Sequence, residues 1–372
     1  MRLIQLSLKN FRNLNLDFTV DPGINLISGS NGAGKSNLLD GIYFLAFTKS
    51  FKPYSEKNNI AWNNPLKFSF IKAQIRDEAQ KDAKPMELKI IFNNVQGSEQ
   101  KRLEINGLGK TRRNFVYRLP VVLFAPHNIN WLAGSPDVRR EEFDDFICSI
   151  SPDYVDKLSA YKSVIRNRNK ILQKINEGIG QIGELNYWNE KLVDLGAFIV
   201  TYRSEIIQKF QPSLRQDALK IFHSELANLS LVYQSKFNGG HSQSEVGKLL
   251  RNKIQENLTK EISAGQTLYG PQRDDYSLLA DDKDLKVFGS RGQQRIATLI
   301  VKMAMFNYIK SYLGITPVIL LDDIMSELDN LHRKNLEKYL LNLNAQLFLT
   351  ATEEKMFGKE ILKKAKLLKI GN

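Results

Sequence analysis

One eight-residue segment, Gly29-Ser30-Asn31-Gly32-Ala33-Gly34-Lys35-Ser36, has the residue types and the spacing that bind phosphate groups. Its pattern, G-x-x-x-x-G-K-S, is that of a P-loop, whose glycines let successive backbone N–H groups turn towards a phosphate. We expect Lys35 to place its charge on the β- and γ-phosphates of ATP and to act in catalysis, and the Ser36 hydroxyl to bind Mg²⁺.

A second candidate site follows the apolar run Val318-Ile319-Leu320-Leu321, which ends in two carboxylates, Asp322 and Asp323. An apolar strand that ends in acids is typical of a Walker B strand. Asp322 is expected to contact Mg²⁺, directly or through water. Asp323 is expected to orient or deprotonate the water molecule that attacks the nucleotide, and it is the second predicted catalytic residue.

A third segment, Ser290-Arg291-Gly292-Gln293-Gln294, stands at the predicted start of an apolar helix, about thirty residues before the two acids. A serine cap and a bare glycine at a helix N-terminus leave backbone donors for an anion. A simply capped helix remains the alternative for this segment taken alone.

Strands and helices must bring these segments together. Gly23 to Ser28 reads as a strand before the glycine loop, and apolar residues from Leu38 to Ala46 recur at helical spacing after it. Residues 66–125 read mainly as strands, with Asn93-Asn94 and Asn106-Gly107 as hairpin turns. The apolar runs 317–321 and 346–349 are typical of strands buried on both faces of a parallel sheet.

Between these parts, the apolar spacing predicts long helices with faces rich in Lys and Arg. We therefore predict an α/β fold in which residues 1–135 and 263–372 build one ATPase head of mixed sheets and flanking helices, and residues 136–262 form an inserted, mainly helical lobe. The cationic faces, which include Lys162, Arg166, Arg168, Lys170 and Lys174, fit either solvated surface or a nucleic-acid or partner surface.

The composition narrows the classes of protein. Hydrophobic residues make up 42% of the 372 residues and charged residues 25%, as in an ordinary soluble protein. No apolar segment is long enough to span a membrane, the start has no signal-peptide pattern, and the lone cysteine, Cys148, is expected to be buried. We expect a cytoplasmic protein without a membrane partner. The net charge of +13 favours a polyanionic partner, with nucleic acid the first candidate.

The order of these motifs resembles the ATP-binding-cassette heads of the chromosome-maintenance and Rad50-like ATPases and, within that group, the RecF family. The short insertion and the Asp322-Asp323 pair, where transporter cassettes usually carry Asp-Glu, are specific to RecF-like proteins. The resemblance covers nearly the whole chain and extends over residues 8–13, 29–39, 123–126, 134–140, 269–275, 290–295 and 320–329.

The resemblance implies a homodimer that forms when ATP is bound, with each nucleotide between the P-loop of one subunit and Ser290 to Gln294 of the other. It also implies that Asn37 belongs to the nucleotide site and that Arg12 reaches the α-phosphate. The loop across the dimer seam would be Ser326-Glu327-Leu328-Asp329. Proteins of this family bind single-stranded and gapped DNA in an ATP-dependent way, act with RecO and RecR to place RecA, and are linked to replication and SOS induction.

Two positions depart from the pattern. Arg291 stands where the family's signature usually has an uncharged residue, and Leu349 to Glu353 carry no histidine where transporter cassettes place one. Thr350 and Thr352 are the remaining candidates for a γ-phosphate sensor. Because aspartate at 323 is one methylene shorter than glutamate, we expect slow, DNA-stimulated hydrolysis that times a clamp. The alternatives are the cytosolic ATPase subunit of a transporter and a small-molecule P-loop kinase.

Overall fold

A computed structural model describes residues 1–52, 56–61, 64, 67–77, 84–95, 98–126, 131–222, 226, 228–237 and 240–371. The strands are β1 (Arg2–Phe11), β2 (Leu14–Thr19), β3 (Ile24–Ser28), β4 (Phe68–Arg76), β5 (Met86–Val95), β6 (Ser98–Ile105), β7 (Leu108–Gly109), β8 (Val121–Phe124), β9 (Leu229–Gln234), β10 (Asp275–Ala280), β11 (Lys283–Asp284), β12 (Val318–Leu321), β13 (Leu347–Ala351) and β14 (Ala365–Lys369). The α-helices are α1 (Lys35–Phe47), α2 (Arg112–Val116), α3 (Pro136–Ile150), α4 (Pro152–Asn176), α5 (Leu185–Phe222), α6 (Gln243–Glu256), α7 (Leu258–Ala264), α8 (Leu285–Phe288), α9 (Arg291–Leu313), α10 (Asn330–Asn342) and α11 (Lys359–Lys364).

The described residues divide into two compact units, unit 1 (1–130, 216–227 and 295–372) and unit 2 (131–215 and 228–294). Unit 1 contains a parallel sheet in the order β14-β3-β13-β12-β8 and an antiparallel sheet in the order β2-β1-β4-β5-β6-β7. Every residue of β3, β8, β12 and β13 is buried. The predicted mixture of sheets and helices is confirmed, and so are the doubly buried parallel strands at 318–321 and 347–351.

Helix α1 carries the P-loop and is buried almost all round, from Leu38 to Phe47. Its apolar side chains share one core with the inward faces of β1 and β4 from the antiparallel sheet and with β8 and β12 from the parallel sheet. A helix that is apolar on every side is buried on every side. At Gly41 an added Cβ would lie 2.8 Å from Leu8 Cδ2, so this glycine lets the helix lie close to β1.

Unit 2 is mainly helical, but it also contains the small antiparallel sheet β11-β10-β9. The sequence did not predict β9, whose register with β10 runs from Leu229 opposite Ala280 to Gln234 opposite Asp275. Residues 263–294 belong to unit 2, whereas the sequence led us to expect residues 263–372 in the ATPase head. No helix in the described ranges is both long and apolar enough to cross a membrane.

The two predicted hairpin turns have different outcomes. Asn106 and Gly107 connect β6 to β7 with φ of 50° and 76°, so this turn is confirmed. The turn at Asn93-Asn94 is wrong, because both residues lie inside β5 and pair with Gln100 and Glu99 of β6. Asparagine is common in turns, but the strand propensity of the preceding Ile90, Ile91 and Phe92 carries the strand through them.

Gln346 directly precedes β13, and its side chain connects that strand to the start of β1. Its side-chain oxygen accepts the Leu3 N–H at 2.8 Å, and its amide nitrogen donates to the carbonyls of Leu3 at 2.9 Å and Asp21 at 2.7 Å. The pairing of β1 with β2 extends only to Gln5 opposite Thr19, so the buried amide of Gln346 satisfies backbone groups of Leu3 that lie beyond it.

We predict that Gln346→Leu destabilises the protein by about 2 to 5 kcal/mol. The substitution leaves several buried backbone groups without a hydrogen-bond partner, at a cost of roughly 1 to 3 kcal/mol each. Urea denaturation measures the loss. The control is Gln5→Leu, which removes an amide that bonds Asp17 at the surface and should cost about 1 kcal/mol or less. Equal effects of the two substitutions would contradict the assignment.

Candidate nucleotide-binding site

The P-loop connects β3, which ends at Ser28, to α1, which begins at Lys35. The predicted strand, loop and helix order is confirmed. Gly32 and Gly34 have φ of 82° and 108°, in the left-handed region that favours glycine. Ser30, Asn31 and Gly32 are exposed, so the top of the loop is accessible to a ligand.

Glycine at position 29 is required by a close backbone contact. An added Cβ would lie 2.3 Å from the Ile370 carbonyl oxygen, because β14 lies alongside β3 and the Ile370 N–H donates to the Ser28 carbonyl at 2.9 Å. The loop therefore begins where two parallel strands end side by side. At the edge formed by the carboxyl ends of the strands, α/β sheets bind their ligands.

Lys35 and Ser36 place their functional groups at the base of the loop. The Lys35 ammonium donates to the carbonyls of Gly29 at 2.7 Å and Ser30 at 3.0 Å, and the residue is buried. The Ser36 hydroxyl donates to Asp322 Oδ1 at 2.8 Å. The two residues that the sequence assigned to Mg²⁺ are thus neighbours, although 286 positions separate them in the chain.

Thr350 orders the two acids that follow β12. Its hydroxyl donates to Asp322 Oδ1 at 2.9 Å and accepts the Asp323 N–H at 2.9 Å. Thr350 is buried and its hydroxyl hydrogen is directed at Asp322, which fits a residue that positions the acids. Thr352, the other candidate sensor, directs its hydroxyl to the Met356 sulfur at 3.8 Å.

Asp323 has an unusual backbone and a perturbed carboxyl group. Its φ is 49°, a left-handed conformation that aspartate tolerates better than most residues. Ser326 donates to its carbonyl at 2.7 Å and so fixes the turn. Partial burial and the neighbouring Asp322 carboxylate raise the pKa of Asp323 above its ordinary value. A carboxylate with a raised pKa is a better base than an ordinary aspartate.

Arg12 approaches the P-loop helix from the end of β1. It forms an ion pair with the fully buried Asp40 at 2.5 Å and donates to Asn37 Oδ1 at 3.0 Å. Lys52 donates to the same Asn37 oxygen at 2.8 Å, and burial together with the Arg12 charge lowers the pKa of Lys52. Asn37 thus connects two cations to the first turn of α1.

Asn13 supports the loop from the other side. Its amide donates to the Gly32 carbonyl at 3.2 Å, and its oxygen accepts the Asn37 amide at 2.7 Å. Asn13, Asp40 and Lys52 are not among the site residues predicted from the sequence. A signal was present for Asp40, since a lone acid among the apolar residues of α1 must find a cation to be buried.

The segment Ser290 to Gln294 begins helix α9 as predicted. The Ser290 hydroxyl accepts the Gln293 N–H at 3.2 Å, and the Gln293 side chain accepts the Ser290 N–H at 2.9 Å, which is a capping box. The Gln294 amide donates to the carbonyls of Leu285 at 2.9 Å and Gly289 at 3.2 Å. Ser290, Arg291 and Gly292 are exposed.

The segment Ser326 to Asp329 is held from two helices of unit 1. Arg295 of α9 pairs with Glu327 at 3.0 Å and donates to its carbonyl at 3.1 Å. Arg333 of α10 donates to the Leu328 carbonyl at 3.1 Å, and Asp329 caps that helix by accepting the N–H groups of Leu331 and His332. The loop has a defined conformation, and its expected place at a dimer seam stays a prediction.

The structure therefore brings together, within unit 1, most of the residues that the sequence assigned to the nucleotide. The P-loop, Asn37, Arg12, Asp322 and Asp323 form one continuous network. The signature segment up to Gln294 belongs to unit 2, and its role stays a prediction. Fold and site together define a class, that of the P-loop ATPase heads.

Comparisons with known proteins narrow that class. The family model described as "RecF/RecN/SMC N terminal domain" matches residues 2–369. The chain is 36% identical to the DNA replication and repair protein RecF of Natranaerobius thermophilus, with 98% of this chain and 95% of that protein covered. It is 33% identical to the RecF protein of Halothermothrix orenii, with 95% and 92% covered. The chain belongs to the RecF family.

A solved structure agrees over the same length. The chain superposes on a structure described as the recombination mediator protein RecF with ATP in the RecFOR pathway with a TM-score of 0.87 and 28% identity, covering 99% of this chain and 95% of that one. The resemblance inferred from the motifs is thus confirmed, and the transporter and kinase alternatives are set aside.

We predict that Gly29→Ala and Gly32→Ala fail differently. Alanine at 29 meets the Ile370 carbonyl and displaces β14, whereas alanine at 32 has open space and costs only its left-handed backbone, about 1 to 2 kcal/mol. Hydrogen exchange at the Ile370 amide should accelerate in Gly29→Ala and stay slow in Gly32→Ala. Slow exchange in both variants would show that β14 does not constrain position 29.

Proposed function

We propose that the protein is an ATP-dependent DNA-binding protein of recombinational repair and replication-fork maintenance, which closes as a homodimer around ATP. The observation that carries the proposal is the contact of Ser36 with Asp322 beneath an accessible P-loop, because it assembles the phosphate and metal ligands of an ATP site. The RecF relatives are named for DNA replication and repair, and one of their structures is described with ATP.

Different residues of unit 1 would contact different parts of the nucleotide. Backbone N–H groups of residues 29–36 and the dipole of α1 bind the phosphates, and Lys35 leaves its loop carbonyls to reach the β- and γ-phosphates. Ser36 Oγ and Asp322 Oδ1 are hard oxygen ligands of the kind that Mg²⁺ takes, and the cation would neutralise charge on the phosphates. Arg12 and Asn37 lie at the first turn of α1, next to this site.

Asp323 is the proposed base that orients or deprotonates the attacking water. Thr350 accepts the Asp323 N–H and Ser326 donates to the Asp323 carbonyl, so the backbone that carries the carboxylate is fixed. Its side chain is one methylene shorter than glutamate, which places the carboxylate further from the attacking water. Hydrolysis is therefore slow. The time before hydrolysis sets how long the protein stays bound to DNA, and hydrolysis then resets it.

Ser290 to Gln294 are the proposed second half of the site, supplied by the other subunit. The first turn of a helix has N–H groups without partners inside the helix, and these attract the γ-phosphate when a partner brings one. Gly292 leaves this end open, since the nearest atom to an added Cβ is Ser290 Oγ at 3.8 Å. Arg291 is exposed beside it and adds a positive charge.

The charge of the chain and the description of the related structure indicate the partners. DNA with single-stranded gaps or junctions is the proposed ligand of the closed dimer, and the excess of 53 Lys and Arg over 40 Asp and Glu favours it. RecO and RecR are the proposed protein partners, because the related structure is described as part of the RecFOR pathway. RecA loading and SOS induction are the proposed downstream events.

We predict that ATP converts the wild-type protein from monomer to dimer, and that neither Lys35→Met nor Ser290→Arg responds. Lys35→Met removes the charge that holds the phosphates, and Ser290→Arg blocks the helix start that faces them. Analytical ultracentrifugation with and without ATP measures the change. Because Ser290 belongs to unit 2 and its side chain caps α9 at Gln293, the P-loop residues are unchanged and Ser290→Arg should still bind ATP. A dimer that forms without nucleotide would contradict the proposal.

We also predict a wild-type turnover below about 10 s⁻¹, the median for enzymes, and a further loss of about 10²- to 10⁴-fold in Asp323→Asn, which removes the base. ATP affinity should change little, because the P-loop contacts remain. Phosphate release and nucleotide titration separate the two effects. Asp282→Asn, at an exposed site in unit 2, is the matched control with unchanged turnover. Rapid wild-type hydrolysis would rule out a timed switch.

A further inference from the structure

Helix α4 of unit 2 has an unusual distribution of charge. From Lys157 to Asn176 it contains Lys and Arg but no Asp or Glu. Four of its cations recur at every fourth position and are all exposed, namely Lys162, Arg166, Lys170 and Lys174. In the part of the chain that the structure describes, none of these four has an acidic side chain within ion-pair distance. We name these four residues the α4 stripe.

The fifth cation that the sequence grouped with them, Arg168, has a different role. It is fully buried, pairs with the fully buried Glu261 at 2.5 Å and donates to Asn189 and Thr267 at 2.8 Å each. On a helix, residue 168 lies about 200° from residues 166 and 170 and so faces away from the stripe. Arg168 therefore anchors the helix, and the α4 stripe stands on a fixed support.

The spacing of the α4 stripe fits a phosphate backbone. Four residues of α-helix rise about 6 Å, so the stripe extends over about 18 Å. One strand of DNA presents a phosphate about every 3.4 Å of axis, so successive stripe residues lie about two phosphates apart. Lys and Arg side chains are long enough to absorb the difference. Contacts of this type bind without reading sequence.

The same helix argues against a membrane surface. A helix that lies on a bilayer needs an apolar face that enters the lipid. Six apolar residues of α4 (Tyr154, Val155, Leu158, Tyr161, Val164 and Leu172) are buried in the protein, and Ile165, Ile171 and Ile175 are only partly exposed. Among the exposed large hydrophobic residues of the described chain, none lies between 157 and 176. From Lys157 onward, the exposed side chains of α4 are therefore polar or cationic apart from Ala160.

We propose that the α4 stripe is a DNA-contact surface that binds alternate phosphates along the backbone. This inference rests on the proposed DNA-binding function and adds the place of contact. It assigns the contact to unit 2, at residues that belong to none of the nucleotide motifs. ATP binding and hydrolysis without DNA are therefore independent of the stripe.

The test replaces all four stripe residues with glutamine in the full chain and measures binding of a fluorescent 30-base-pair duplex with a single-stranded gap, with ATP present, from 50 to 300 mM salt. The matched control loses the same charge from exposed lysines of unit 1, by Lys334→Gln, Lys338→Gln, Lys359→Gln and Lys363→Gln. Thermal unfolding and ATP titration verify that both variants are folded and bind nucleotide.

The stripe variant should bind DNA at least about tenfold more weakly, and the slope of log K against log salt should become shallower by about 3 to 4, at roughly 0.9 for each lost phosphate contact. The control should keep the wild-type slope. A stripe variant with the wild-type affinity and slope would overturn the assignment while leaving DNA binding itself intact. A wild-type protein that fails to bind the duplex with ATP would instead overturn the proposed function.

A parallel measurement uses vesicles of phosphatidylcholine with 30% phosphatidylserine. Wild-type protein should not sediment with them at 150 mM salt, because the stripe offers no apolar side chain to the lipid. Vesicle binding that the stripe variant loses, together with unchanged DNA binding, would identify the surface as a membrane contact and overturn the proposal.

Discussion

The carboxylate of Asp322 is the point on which the nucleotide site depends. One of its oxygens accepts hydrogen bonds from Ser36 at the start of α1 and from Thr350 at the end of β13, while its own backbone ends β12. Three segments from the beginning and the end of the chain thus meet at one atom. Such a meeting is possible because parallel strands deliver their carboxyl ends to the same edge of a sheet.

Buried ion pairs give the two units their fixed geometry. Arg12 and Asp40 hold the end of β1 against α1, and Arg168 and Glu261 hold α4 against α7. Such pairs add little net stability, because removing two charges from water costs about as much as their attraction returns, but breaking one leaves an uncompensated charge. The role of these pairs is to fix positions. Each pair holds in place a strand or helix whose other side carries functional groups.

Much of the fold and of the P-loop site could be predicted, because their signals are local. The P-loop, the apolar strands and the acids after β12 each lie within a few consecutive residues. The features that the sequence did not predict depend on contacts with residues far away in the chain. The buried state of Arg168 depends on Glu261, which is 93 positions away, and β9 is recognisable only through its partner β10. The sequence made Thr350 a candidate γ-phosphate sensor, whereas its contacts fit a residue that positions Asp322 and Asp323.

The order of strands in the parallel sheet has a consequence for synthesis on the ribosome. β3, which leads into the P-loop, emerges early, yet its two neighbours are β13 and β14, from the other end of the chain. Until residues 347–369 leave the exit tunnel, β3 has no partner on either side. A prematurely terminated chain thus leaves β3 with two unpaired edges next to the P-loop, and unpaired strand edges favour aggregation.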